Sequence, residues 1–181
     1  LLPNLPGAEQ EAKTIAQLLN TQAIIGKDAT KAAILEKMPR ARIIHLATNA
    51  IADNERGIGS AIALAPSGND NGLLTAEEIQ NLKLNAELVV LSGCDTGLGK
   101  ITADGVIGLS RSFIAAGVPS AIVSLGDVSD EATAFLMSEF YRNLQQNSDK
   151  AQALRQAMLM TMKNYPNPLD WGAFTLIGEA E

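Results

Sequence analysis

The chain contains a single cysteine, a single histidine and a single tryptophan among its 181 residues, and aromatic residues make up only 4% of it. With one cysteine no intramolecular disulfide can form, which is typical of proteins in a reducing compartment. One histidine and one cysteine cannot complete a tetrahedral metal site without carboxylates, and the acidic residues show no ligand spacing. We therefore expect neither a bound metal nor a cofactor.

Positive charge and long apolar runs are also scarce. Lysine and arginine number 14 against 20 acidic residues, which gives a net charge of -6, and they form no basic cluster, which argues against binding of a nucleic-acid backbone. No apolar run approaches the ~18 to 20 residues of a membrane span, and no secretory signal precedes the first helix. We expect a cytoplasmic protein without membrane contact. The chain, 1–181, fits a single domain, and because it starts at Leu1 we expect a C-terminal fragment of a longer polypeptide.

Short apolar segments alternate with helical patterns along the chain. Two segments, Leu88 to Leu91 and Ile43 to Ala47, have the largely apolar pattern of buried strands. This pattern is typical of a parallel sheet that helices cover on both faces. Further strands are predicted over Thr21–Ile25, 121–125 and 174–177. A long loop or small hairpin is predicted over Asp53 to Asn71. Helices are predicted over 8–19, 30–38, 75–84, 106–116, 130–145 and 150–164. The alternation predicts an α/β sandwich with a mainly parallel sheet.

The strand over 88–91 ends in a glycine-rich loop that carries the cysteine. Gly93 and Gly97 bracket Cys94, and the helix that follows begins near Asp104. Ligands bind at the carboxyl ends of strands in open α/β sheets, and a thiol there is placed to attack a carbonyl. A lone cysteine is also frequently an inert, small apolar residue. Both interpretations of Cys94 stay open at this point.

The residue spacing does not fit two common kinds of site, a phosphate-binding loop and a thiol with His45 as its base. The segment from Gly97 to Thr102 resembles a phosphate-binding loop, but that motif needs glycine where Cys94 stands and serine or threonine where Ile101 stands. His45 lies inside an apolar strand, four residues before Asn49, which at ~3.3 Å per residue places it roughly 13 Å below that strand end. It is therefore expected to be a hydrogen-bonded core residue and not the base for Cys94.

Several motifs of the chain resemble the CHAT domain family, the caspase-like domains that are frequently attached to tetratricopeptide repeats. They span nearly the whole chain: Leu5 to Glu9, His45 to Thr48, Gly72 to Ala76, Ser92 to Gly97, Gly105 to Arg111 and Trp171 to Gly178. The resemblance implies a caspase-like three-layer α/β/α sandwich and, in active members, a Cys-His dyad that cleaves peptide bonds. It also implies a parent chain with tetratricopeptide repeats, and a family domain that begins before Leu1 with further sheet strands.

Carried over to this sequence, the family nucleophile falls on Cys94 and the dyad histidine falls on Asn49. Ala50 stands where the family has glycine, and Gly126 stands where a tryptophan is usual. Asparagine has no basic nitrogen to accept the thiol proton. These departures favour a pseudo-peptidase that binds a peptide or protein ligand through a surviving cleft.

Other functions stay open beside this one. The first alternative is an active cysteine endopeptidase with Cys94 as nucleophile and a base from a missing segment or a partner, and a weaker one is a non-catalytic sensor of a nucleotide or small ligand. Gly93, Asp95 and Asp104 are the candidate substrate-binding residues. The two carboxylates would either line a pocket for a lysine or arginine side chain or bond their own loop and cap the following helix.

Overall fold

The protein was analysed as a computed structural model, which describes residues 6–51, 60–93, 103–126, 128–147 and 149–181, with side chains except at 6 and 103–106. The helices are α1 Pro6–Leu18, α2 Lys31–Lys37, α3 Ala76–Gln80, α4 Ala103–Ala115, α5 Asp130–Gln146, α6 Lys150–Asn164 and α7 Pro168–Gly172. The strands are β1 Ile43–Leu46, β2 Ala50–Ile51, β3 Ala61–Ala63, β4 Leu73–Thr75, β5 Leu88–Leu91, β6 Ser120–Ser124 and β7 Phe174–Gly178.

The larger sheet has the strand order β1-β5-β6-β7. β1, β5 and β6 are parallel, and β7 runs antiparallel to β6. β5 and the middle of β6 carry buried apolar residues on both faces, as strands that helices cover on both sides do. The expected α/β fold with a mainly parallel sheet is confirmed.

Alternate residues of β5 point into two separate cores. Val89 and Leu91 pack with residues of α2, α3 and α4, among them Phe113. Leu88 and Val90 pack in the other core with residues of α1, α5 and α6. Since β5 is fully buried on both faces, it is the central strand of three layers.

A second, small antiparallel sheet of β2, β3 and β4 follows the end of β1. β3 lies within the loop or small hairpin predicted over 53–71, but its partner β4 lies just beyond that range, so the hairpin extends further along the chain than predicted. Thr75 and Glu78 then form a capping box at the start of α3. β2 was not predicted, because two residues carry too little pattern to distinguish a strand from a loop.

The prediction of a strand over Thr21–Ile25 is wrong. These residues form no strand, and Gly26, at φ 56°, begins a 3-10 turn. A strand is stabilised by hydrogen bonds to a neighbouring strand. Within the described residues β1 pairs only with β5, so residues 21–25 have no partner strand. The short α7 was also missed, although Asn167 as its cap and Pro168 at its first position are a known start signal.

No helix in the described part of the chain is both long and apolar enough to span a membrane.

The ion pair between Lys31 and Glu78 gives the fold a measurable pH dependence. Its nitrogen and oxygen lie 2.5 Å apart. Partial burial alone would raise the pKa of Glu78, but hydrogen bonds from Lys31 and Thr75 outweigh it and hold that pKa below its usual value. The stability from this lowered pKa is therefore present above the unfolded-state pKa and is lost as the pH falls through the folded-state value.

We predict that Glu78→Gln costs less than about 1 kcal/mol of unfolding free energy at pH 7, because the pair is partly exposed and screened by solvent. The cost should shrink towards zero as the pH falls below the ordinary glutamate range, about 4.3, since the wild-type carboxyl is then neutral as well. Urea unfolding of both proteins at neutral and acidic pH measures this. A cost that stays constant across that range would contradict the assignment.

Candidate functional site

The carboxyl ends of β1 and β5 lie side by side at one edge of the larger sheet. The two strands pair in parallel, with Leu46 opposite Leu91. The N–H of Ser92 donates to the carbonyl of Leu46 at 3.3 Å, which continues the pairing just beyond β5. The chain segments that lead to Asn49 and to Cys94 therefore leave the sheet as neighbours.

Gly93 allows these two segments to approach closely. A Cβ atom built on Gly93 would lie 2.3 Å from the carbonyl oxygen of Thr48 and 2.6 Å from its backbone nitrogen and carbonyl carbon. Any side chain at this position would collide with backbone, which cannot turn aside as a flexible side chain can. The start of the cysteine loop is thus packed against the residue that precedes Asn49.

Asn49 lies in the chain between β1 and β2 and is buried, with 4% of its surface exposed. Its carbonyl accepts a hydrogen bond from the N–H of Ala63 at 2.9 Å, and the Thr48 hydroxyl donates to the Ala63 carbonyl at 2.6 Å. The side-chain Oδ1 of Asn49 has no hydrogen-bond partner among the described residues. A buried acceptor without a donor costs about 1 to 3 kcal/mol, so this oxygen would gain from a donor that reaches it.

Of the other predicted site residues, Cys94 and Asp95 lie outside the described residues. Asp104 is the second residue of α4, which begins close to the predicted position, and its side chain is outside the described part as well. The adjacency of Cys94 and Asn49 stays a prediction. The pairing of β1 with β5 and the Gly93–Thr48 contact support it.

Gly126 follows the end of β6, the next strand along the same sheet edge. A Cβ atom built on it meets no heavy atom of the described residues within 4 Å. The neighbouring Leu125 is 42% exposed although it is a large apolar residue. No described residue therefore fills the space at the position where the family resemblance implies a tryptophan.

His45 is confirmed as a hydrogen-bonded core residue. Its Nδ1 lies 3.0 Å from the Tyr141 hydroxyl, and its Nε2 lies 2.8 Å from Glu11 Oε1 and 3.3 Å from Ser92 Oγ. A serine triad needs the acid on one ring nitrogen and the hydroxyl on the other. Here Glu11 and Ser92 share Nε2, and Ser92 is 2% exposed, so the group does not form a nucleophilic triad.

Sequence reasoning missed the role of Glu11. Glu11 is 3% exposed and bonds to His45. A signal was available, because Glu11 lies four residues before the buried Ile15 and therefore on the buried side of the helix. A carboxylate on such a face needs a buried donor, and the single histidine was the obvious candidate.

No group of three or more metal-ligating side chains occurs within the part of the chain that the structure describes.

The contact at Gly93 predicts that substitution by alanine has very different effects on stability at two glycines of the same sheet edge. Gly93→Ala should lower the free energy of unfolding by at least about 2 kcal/mol, because the new methyl group collides with the Thr48 backbone. The matched control Gly126→Ala should stay within about 1 kcal/mol of the wild type, because its methyl group meets open space. Urea unfolding measures both. Equal effects at the two positions would contradict the close approach of the loop to Thr48.

Comparison with known proteins supports the resemblance seen in the motifs. The sequence model of the CHAT domain matches residues 1–179. Tetratricopeptide repeat protein 28 is 29% identical to this chain in Mus musculus and 30% identical in Homo sapiens, each over 214 aligned positions. Each alignment covers 96% of this chain and 8% of the relative, so the chain spans a small part of those proteins. Since the family match extends over nearly every residue, this chain belongs to the CHAT domain family.

Proposed function

We propose that this domain is a pseudo-peptidase, a caspase-like module that binds a peptide or protein ligand without cleaving it. The observation that carries the proposal is Asn49, a buried amide at the position of the dyad histidine. We propose that the parent chain is a cytoplasmic protein with tetratricopeptide repeats, and the names of its relatives support the repeats.

The side chain of Asn49 is compatible with ligand binding but not with peptide cleavage. Peptide cleavage by a thiol needs a base to remove the thiol proton and an acid to protonate the leaving amine. An amide side chain performs neither step, since it has no titratable nitrogen. A free thiol with a pKa near 8.5 is only a few per cent ionised at pH 7, so Cys94 would react slowly with electrophiles and would not turn over peptides.

Features of the same edge support ligand binding. Leu125 is 42% exposed, and a Cβ atom built on the adjacent Gly126 meets no described atom within 4 Å. Crevices at the carboxyl ends of parallel strands are regular ligand sites. We propose that the ligand is a peptide with a basic side chain near Asp95 and Asp104, because the chain as a whole carries a net charge of -6.

The alternative is a working cysteine endopeptidase. The retained Cys94, which directly follows the tightly packed Gly93, is the observation that favours it. Its base would have to come from a segment outside this chain or from a partner protein.

Binding of a basic peptide has a direct test. At low salt, a peptide with a central lysine should bind at least about tenfold more tightly than the same peptide with norleucine, because a carboxylate pocket discriminates charge. Fluorescence polarisation measures both affinities, and Asp95→Asn with Asp104→Asn should remove the difference. Equal affinities would assign the two carboxylates to helix capping, and no binding of either peptide would refute the proposed function.

The missing base has a second test. Asn49→His should install a general base beside Cys94 and raise cleavage of fluorogenic peptides by about 10²- to 10⁴-fold over the unmodified background. The control Asn49→His with Cys94→Ala must stay silent. If the single variant folds but neither cleaves peptides nor reacts faster at Cys94, the lost histidine is not the limiting defect. Ala50 and Gly126 would then be the next positions to change.

A further inference from the structure

Helix α6 presents large apolar side chains to solvent. Most of the residues that it buries are small: Ala153, Ala157 and Thr161. In contrast, Leu159, Met160 and Met162 are 39%, 41% and 40% exposed. The exposed side chains that the structure describes on α1 and α5, which cover the same core, are all polar. Large apolar side chains that are exposed together mark interaction surfaces, and methionine is frequent at surfaces that bind helices.

Two positive side chains flank this apolar group along the helix. Arg155 lies four residues before Leu159 and Lys163 lies four residues after it, so the three share one side of α6. Both cations are exposed, and neither forms a salt bridge with a described residue. No acidic residue occurs between 150 and 164, although the whole chain has a net charge of -6. We call Arg155, Leu159, Met160, Met162 and Lys163 the outer face of α6.

The spacing of these residues fits another helix. Arg155, Leu159 and Met162 follow the i, i+4, i+7 pattern of a ridge on a helix, and such a ridge packs into the groove of a second helix. A helix that covers the apolar side chains places its own flanking residues beside Arg155 and Lys163, where carboxylates are favoured. A membrane surface fits less well, because helices that lie on membranes are rich in cations and this face carries two on an acidic chain.

We propose that the outer face of α6 docks an amphipathic helix of a partner protein, one whose apolar stripe is flanked by glutamate or aspartate. None of the residues of this face belongs to the candidate site, so the inference does not rest on the proposed function. Three partly exposed side chains give a small contact area. We therefore expect a reversible complex with a Kd of roughly 10 to 100 μM.

The test uses a designed helical peptide of about three heptads, with leucine at positions a and d and glutamate at e and g. A matched peptide carries lysine at e and g. Binding is followed by NMR of isotope-labelled methionine methyl groups, because Met160 and Met162 lie on the outer face whereas Met38 and Met137 are buried. The glutamate peptide should shift the two outer signals and leave the two buried ones unchanged. At low salt it should bind there at least about tenfold more tightly than the lysine peptide.

Variants of the outer face test the apolar and the charged contacts separately. Leu159→Gln removes apolar contact and should weaken binding of the glutamate peptide about fivefold or more. Arg155→Glu with Lys163→Glu should reverse the preference, so that the lysine peptide binds more tightly. The control Ile114→Gln changes a side chain that is 38% exposed on α4, a helix of the other core, and should leave binding unchanged. Circular dichroism confirms that each variant is folded.

Equal affinities of the two peptides at the outer methionine signals would overturn the inference, as would the absence of any shift up to about 1 mM peptide. Without a shift by the glutamate peptide, concentration-dependent shifts of the chain alone would assign the face to a second copy, and shifts with anionic lipid vesicles would assign it to a membrane. Either result would refute the proposed partner. A basic peptide bound at the candidate site leaves Met160 and Met162 unchanged, so failure of one proposal does not imply failure of the other.

Discussion

The parallel pairing of β1 with β5 is the constraint on which the rest of the site depends. The pairing brings two chain segments to the same edge, and Gly93 allows them to touch at Thr48. Helices on both faces bury β5 completely, so its register cannot slip without moving apolar side chains from one core to the other. The position of Gly93, where the cysteine loop begins, is therefore set by the two hydrophobic cores as well as by its contact with Thr48.

Long, regular elements could be predicted from the sequence, and short or context-dependent ones could not. The bounds of α6 were predicted to the residue, and β5 was recognised from an uninterrupted apolar run. The strand predicted over 21–25 failed because its apolar residues have no strand to pair with in the described part of the chain. The local sequence pattern shows which side chains are apolar. A β-sheet also needs a neighbouring strand, which the local pattern does not specify.

The candidate site was likewise only partly predictable from the sequence. Asn49 and Cys94 were identified from motifs, and the packing of Gly93 on Thr48 gives a physical reason for the glycine that a motif cannot give. The bond between Glu11 and His45 joins residues 34 positions apart, so it was beyond the reach of periodicity. It became visible only when the fold placed α1 beside β1. The single histidine thus lies in the core of the domain, and Asn49 carries an amide at the position that the family resemblance assigns to the dyad histidine.

The central claim is that the domain retains ligands at this edge but does not cleave them. The most direct measurement incubates the chain and its Cys94→Ala variant with a peptide library at neutral pH under reducing conditions, and follows both retention and fragmentation by mass spectrometry. The account predicts that both proteins retain the same peptides and that neither releases fragments. Fragments produced by the wild type and absent with Cys94→Ala would contradict it, because they would show turnover without a histidine at position 49.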